Sequence, residues 1–214
     1  MTEDYVQNYI QVIENPLPEL KNTFNKELET LNNNSEKNSV VLDVGCGAGR
    51  PADLLSKFVK KIVCIDNDKK MLDVAKERCK NIDNVEILED DALDISFSDK
   101  SFDLVYATYN LIGSLKKSER QKLINEMKRV AKDNTKIINL TWKDNKETTE
   151  FLKKYYPSIG INIIGSDESK TDTSKGTFER ISKKELLEYY TSANLKNIKF
   201  VDVGMVWIAI IGTK

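Results

Sequence analysis

Val41-Leu42-Asp43-Val44-Gly45-Cys46-Gly47-Ala48-Gly49-Arg50 is the stretch whose reading decides the fold. An apolar run from Ser39 to Val44 leads into three glycines, and a helical pattern opens at Pro51. Strand, tight turn and helix N-terminus, in that order, bring backbone close to a nucleotide-like ligand. Glycine suits the turn because a side chain would block that approach and because positive φ costs it little. A second strand pattern ends at Asp66, 21 positions after Gly45. An acid about 20 residues beyond such a turn can accept hydrogen bonds from a ribose, so the pattern points to a ribose-bearing cofactor.

The glycine spacing narrows the choice. Dinucleotide turns favour Gly-x-Gly-x-x-Gly, with the pyrophosphate at the helix N-terminus. Here the spacing is Gly-x-Gly-x-Gly, and Asp43 stands two places before the first glycine. A carboxylate is unfavourable beside a pyrophosphate and favourable beside an ammonium or a sulfonium. The stretch resembles motif I of the class I S-adenosylmethionine-dependent methyltransferases, whose common form is Leu-Asp-x-Gly-Cys-Gly-x-Gly. A bare glycine turn is more often structural, but here the match extends to Asp43, Asp66 and Asp91. The likeness covers residues 40 to about 140 well and the rest loosely. It implies an α/β fold: a Rossmann-like, doubly wound, mostly parallel seven-stranded sheet closed by an antiparallel C-terminal hairpin. It also implies S-adenosyl-L-methionine as cofactor and methyl transfer by in-line displacement to a small-molecule acceptor.

The same resemblance assigns candidate residues. Asp43, Gly45, Cys46, Gly47 and Arg50 belong to the cofactor turn. Cys46 matters there for its backbone more than as a nucleophile. Asp66 takes the ribose hydroxyls; helix capping is the competing role, yet Asn67 or Asp68 can cap equally well. The family often has an apolar residue after this acid, packed on the adenine. Asn67 departs from that, and Met71 is the substitute, unless it is a core methionine. Asp91 accepts from the adenine amino group and Ala92 offers its backbone N–H, although Asp90 and Asp94 leave the acid ambiguous and a solvated loop is the alternative. Backbone carbonyls near Tyr106 and Ala107 face the methionine amino group. Tyr109 and Asn110 point toward the methyl group and the acceptor. No Asn-Pro-Pro-Tyr or Asp-Pro-Pro-Tyr is present, which lowers the case for nucleobase-amine or glutamine acceptors.

Composition fits one soluble enzyme domain. The chain has 214 residues, 40% of them apolar, and a net charge of −1. That length allows one sizeable core, and the near-neutral balance gives no sign of a nucleic-acid-binding surface. No apolar stretch approaches the ~18 residues of a membrane span, and the polar, acidic N-terminus shows no signal peptide. Cys46, Cys64 and Cys79 cannot all pair and lack zinc spacing, so they read as reduced thiols of a cytoplasmic monomer or homodimer. No ligand cluster for a metal is visible. With no histidine in the chain, acid–base work falls to a carboxylate, tyrosine, lysine or water. An amine acceptor needs no base; for a hydroxyl acceptor, Tyr109 or Glu179 are the candidates, and no catalytic residue is assigned.

Periodicity orders the rest. A short helix carrying Tyr5, Tyr9, Val12 and Ile13 precedes an amphipathic one at 17–31, together an N-terminal cap over 1–31. The cofactor core spans 39–142: strands near 39–44, 61–66, 84–89, 102–108 and 136–142, with helices at 51–60, 68–80 and 117–131. Residues 143–180 form a substrate-side insertion, beginning with a short helix around Phe151–Tyr156 and ending in a polar, exposed or mobile loop at 165–177. A helix at 182–192 and strands near 197–203 and 205–212 close the chain, as one domain over 1–214. The acceptor pocket draws on Tyr9, Trp142 and residues 151–180, where Tyr155 and Tyr156 are either pocket or packing residues. Two other functions remain open: a protein or RNA methyltransferase, and a non-catalytic S-adenosylmethionine-binding module.

Overall fold

The computed structural model describes residues 3–214, with side chains from Val6 onward. Its centre is β1 (Val40–Val44), nearly all apolar because both faces of a central parallel strand are covered. β1 pairs in parallel with β2 (Lys61–Asp66) and with β4 (Phe102–Ala107). The intervening chain runs through α3 (Arg50–Leu55), α4 (Lys69–Cys79) and β3 (Val85–Glu89). Beyond β4 lie β5 (Ala131–Trp142), β10 (Trp207–Thr213) and β9 (Lys196–Val203), giving the order β3-β2-β1-β4-β5-β10-β9. β10 is antiparallel to both its neighbours and the other pairings are parallel. The expected doubly wound sheet with its C-terminal hairpin is therefore present. Strand order reverses between β1 and β4, which makes the crevice above their carboxyl ends the place for a ligand.

Alternation along β1 divides the core. Val41 joins Leu20, Leu31 and Leu55 on one side; Leu42 joins Leu123, Ile124 and Met127 on the other. Leu20 and Leu31 come from α2 (Pro18–Asn32), while Leu123, Ile124 and Met127 come from α6 (Lys117–Val130) at the spacing the sequence shows. α8 (Lys183–Ser192) packs beside α6, its start capped by the Ser182 hydroxyl accepting from Glu185 N–H. α1 (Glu3–Glu14) lays Val6, Tyr9 and Ile13 against Ala48 of the glycine turn and Met71 of α4. The side chain of Tyr5 lies outside the described residues.

Four elements differ from expectation; the first is β5, which starts at Ala131, five residues before the expected 136. The helix after the turn stops at Leu55, not near residue 60, because the Asn84 amide donates to the carbonyls of Ser56 and Val59 and holds the chain in a turn. A four-residue helix, α5 (Leu111–Ser114), follows β4. The largest correction concerns residues 165–177. They are not a loop but most of an antiparallel sheet of β6 (Ile163–Ser166), β7 (Lys170–Thr173) and β8 (Gly176–Glu179). Its polar composition hid it. Arg180, buried among polar residues, donates to the carbonyls of Asp167, Glu168 and Lys170 and to the Thr171 hydroxyl. Side-chain hydrogen bonding thus does much of what an apolar face would do. The sheet packs beside α7 (Lys146–Ser158) and α5.

Candidate active site

At the carboxyl end of β1 the chain turns through Gly45, Gly47 and Gly49, all at positive φ. A Cβ on Gly45 would lie 2.8 Å from Leu111 Cδ2, so the turn needs glycine for space as well as for conformation. Four of its N–H groups are already used. Those of Gly45 and Cys46 donate to the Ile65 carbonyl at 2.8 and 3.0 Å, and that of Gly49 to the Cys46 carbonyl. Gly47 N–H donates to Asp66 Oδ2 at 2.8 Å. A turn so committed is no nest for a pyrophosphate.

Asp66 lies at the end of β2, half-buried. Its second oxygen accepts from Asp68 N–H at 2.9 Å. Asp68 caps α4, accepting from Lys70 and Met71 N–H, so capping does not occupy Asp66. Burial raises the Asp66 carboxyl above its ordinary range, and the Asp68 and Gly47 N–H groups pull it back. A carboxylate can accept about four hydrogen bonds, and these two leave capacity for a diol.

A cleft of about 780 Å³, counting the space at its mouth, opens above the β1–β4 junction. Gly45, Gly47, Asp66 and Met71 line one end. The other end is aromatic: Tyr109, Trp142, Tyr155, Tyr156 and Phe178, with Ile159 and Ile161. Tyr9 of α1 stands between the two ends, in edge contact with Tyr109 at 5.5 Å. Asp66 is the one ionisable acid or base among the described lining residues apart from tyrosines.

Tyr109 and Asn110 follow β4 with φ of 56° and 65°. Two consecutive non-glycine residues in the left-handed region are strained. The Asn110 side chain, 2% exposed, holds the bend: Oδ1 accepts from the Thr141 hydroxyl and Nδ2 donates to the Glu179 carbonyl at 3.3 Å. The bend places the Tyr109 ring against Trp142 (5.9 Å) and Trp207 (5.1 Å). Its hydroxyl lies 2.7 Å from that of Tyr155.

Behind the turn sits a buried charge cluster. Arg50 pairs with Glu27 of α2 at 2.5 Å and lies over the Phe24 ring at 3.9 Å. Asp43 is fully buried in β1 and lines no part of the cleft. Burial pushes its carboxyl up to about 8. The Tyr106 hydroxyl beside it, outside good hydrogen-bond geometry, offsets part of that, while Glu27 adds to it.

The sequence candidates thus fall into three groups. Gly45, Gly47, Asp66 and Met71, with Tyr9, Tyr109, Asn110 and Trp142, come together on one cleft. Asp43, Cys46, Arg50, Tyr106 and Ala107 are buried behind it and support it; the chain first lines the cleft two residues later than Tyr106, at Thr108, just past the end of β4. Asn67 and Asp91 are exposed, Ala92 is half-buried, and none of the three lines the cleft. Asp90 is committed to Ser96 N–H and hydroxyl, while Asp91 and Asp94 are both exposed there. Glu179 pairs with the buried Arg120 at 2.8 Å and does not line the cleft. Phe178, Ile159 and Ile161 were not singled out from the sequence. The alternation Gly176-Thr177-Phe178-Glu179 is the one signal that marks Phe178 as an inward residue.

The residues present fit a sulfonium nucleoside. A carboxylate with unused acceptor capacity stands at ribose distance along the chain from glycines without side chains, and a thioether side chain, Met71, flanks them. Comparison with known proteins agrees. Residues 41–134 match a family model described as a methyltransferase domain. A demethylmenaquinone methyltransferase from Staphylococcus aureus is 28% identical over 174 residues, covering 76% of this chain and 70% of the relative. Among solved structures, a SAM-dependent methyltransferase from Aquifex aeolicus superposes with a TM-score of 0.70 at 23% identity, covering 95% of this chain and 96% of that one. A protein from Pyrococcus horikoshii superposes with a TM-score of 0.75 at 21% identity, covering 100% and 99%.

Proposed function

We propose that this class I S-adenosylmethionine-dependent methyltransferase acts on a small, largely apolar molecule with a flat ring. The observation that carries this reading is the continuity of the cleft. One wall set runs from Asp66 and the glycine turn to Tyr109, Trp142 and Phe178. When bound, S-adenosylmethionine supplies an activated methyl carbon whose leaving group is a neutral thioether. The protein's task is then to bind, align and exclude water.

Asp66 takes the ribose hydroxyls, and Asp91 the adenine amino group at the open side. Gly45 and Gly47 let the backbone approach the nucleoside, and Met71 flanks it. Tyr109 divides the nucleoside end from the acceptor end. α1 lies over the turn through Tyr9 and keeps water from the reacting atoms. The insertion at 143–180 supplies the far wall. An aromatic wall of this kind suits a flat apolar ring. The relative's name, demethylmenaquinone methyltransferase, describes an acceptor of that kind.

Methyl-labelled S-adenosylmethionine tests the proposal. The protein is incubated separately with reduced demethylmenaquinone, with bulk peptide and with bulk RNA. Label should enter the solvent-extractable quinol fraction. Label in peptide or RNA, with none in the extract, would overturn the small-molecule reading. Binding of S-adenosylhomocysteine with no transfer to any acceptor would favour a binding module.

A further inference from the structure

We propose that Asn110 is a positioning residue for methyl transfer: its carboxamide holds Tyr109 and the β8 wall in line with the glycine turn, and so sets turnover without setting cofactor affinity. This rests on the cofactor and acceptor ends of the cleft assigned above.

The chain leaves β4 through two residues in the left-handed region, Tyr109 at φ of 56° and Asn110 at 65°. Asparagine enters that region at modest cost and an aromatic residue at more. Glycine would remove the cost at either position, yet neither is glycine. Position 110 instead carries a carboxamide with both ends engaged. The Glu179 carbonyl can only accept, so Nδ2 faces it at 3.3 Å, and Oδ1 accepts from the Thr141 hydroxyl. Thr141 is fully buried in β5 and lines no part of the cleft. The surroundings are shaped to this side chain. A Cβ at Gly113 would collide with both carboxamide atoms and with the Glu179 carbonyl oxygen. Gly113 has no positive φ, so α5 carries glycine there for space.

One residue therefore joins three elements at the cleft. Its N–H donates to the Leu140 carbonyl at 3.1 Å, which continues the pairing of β4 with β5. Its carboxamide reaches β8 one residue beyond Phe178 of the far wall. Immediately before it, the Tyr109 ring meets those of Tyr9, Trp142, Tyr155 and Trp207 at distances between 5.1 and 6.3 Å. The glycine turn and Asp66 are held separately, through β2 and Asp68. In-line displacement depends on alignment, and a misplacement of about 1 Å can cost on the order of a hundredfold in rate.

Three variants test this, with reduced demethylmenaquinone as acceptor. Asn110→Gly relieves the backbone and deletes the carboxamide. If position 110 serves only the bend, this variant matches wild type. We expect kcat to fall by about tenfold or more, with S-adenosylhomocysteine affinity within about threefold of wild type. Thr141→Val removes the hydroxyl, keeps the volume and should lower kcat likewise. Thr141→Ser keeps the hydroxyl and should stay within about twofold of wild type in kcat. A second readout needs no acceptor. The chain has two tryptophans, Trp142 and Trp207, and both contact the Tyr109 ring. Their near-ultraviolet circular dichroism should change in Asn110→Gly and Thr141→Val and not in Thr141→Ser, in protein that still melts cooperatively. Wild-type kcat and an unchanged tryptophan signal in Asn110→Gly would overturn the proposal. So would equal losses in the two Thr141 variants, or a fall in cofactor affinity as large as the fall in kcat. If Asn110→Gly does not fold, the Thr141 pair decides. If wild type binds S-adenosylhomocysteine but does not methylate reduced demethylmenaquinone, the acceptor reading fails, and the tryptophan signal judges Asn110.

Discussion

The two ends of the cleft are built from different material. The nucleoside end is mostly backbone. Gly45, Cys46, Gly47 and Gly49 spend their N–H groups on β2, on Asp66 and on one another, and one carboxylate provides the chemistry. The acceptor end is mostly side chain, with rings from β5, α7, β8 and the bend after β4. A site made of backbone within about 25 residues repeats wherever the same ligand is bound. A site made of side chains from four distant segments can change without disturbing the sheet. The backbone end is therefore fixed by the ligand's shape, while the side-chain end is free to vary with the acceptor.

The largest expected effect lies beneath the nucleoside end. Arg50 and Glu27 are both buried and tie α2 to the start of α3, directly behind the turn. Removing one partner leaves the other charge buried alone. Arg50→Ala should lower stability by roughly 3–5 kcal/mol in urea denaturation, and Glu27→Leu with Arg50→Met should recover much of that. If Arg50→Ala unfolds at the wild-type midpoint, the support beneath the turn is not what holds it.

Asp43 offers a milder perturbation of the same foundation. Its carboxyl is pushed up to about 8 by burial, so the folded chain holds a proton that the unfolded chain has released. Stability from this group is fully present below the unfolded value near 4 and is lost as pH rises toward 8. The slope is at most about 1.4 kcal/mol per pH unit. Asp43→Asn should flatten the fall in melting temperature between pH 5 and pH 8. An unchanged slope would show that another group sets it.

How much of this could be read beforehand follows the same division. The succession of strands and the helix of Leu123, Ile124 and Met127 were legible because strand runs and helical spacing are local signals; the closing antiparallel hairpin followed only from the family resemblance. Gly45, Gly47 and Asp66 were legible because their spacing is fixed by one βαβ unit. Asp43 and Arg50 belong to the turn by spacing, yet lie behind the cleft: spacing tells which residues belong to the turn, not which side of it they face. The β6–β8 sheet escaped because Arg180 and threonine hydroxyls hold it together where apolar alternation would be expected. Phe178 escaped with it. The left-handed bend at Tyr109 and Asn110 has no glycine to announce it, and only contacts 30 to 70 residues away, at Thr141 and Glu179, keep it.

Asp66→Ala probes the nucleoside end itself. It removes an acceptor for the ribose diol and should cost at least about tenfold in S-adenosylhomocysteine affinity by calorimetry. Because Asp66 also holds the N–H groups of Gly47 and Asp68, the melting temperature should fall modestly, by about 1 kcal/mol of stability. An affinity within twofold of wild type would remove the ribose assignment, and with it the claim that this end is built around one acid.

Asp91 gives the smallest expected effect and the sharpest test of where the nucleoside end stops. The residue is exposed, and one oxygen already accepts from Leu93 N–H at 2.8 Å. A hydrogen bond made there competes with water, so its net worth is at the low end of the usual range. Asp91→Ala should weaken S-adenosylhomocysteine binding by only about threefold. The size alone would not identify the partner group, since any surface change could produce it. Replacing the adenine amino group by hydrogen, in the purine-riboside analogue of S-adenosylhomocysteine, removes the donor that Asp91 is assigned to bind and adds no other. The variant should then bind this analogue as well as wild type does. If Asp91→Ala weakens both ligands equally, the acid does not read the base. Adenine recognition would then rest on Met71 and on backbone, and the nucleoside end would be even more nearly made of backbone than the comparison with the aromatic end suggests.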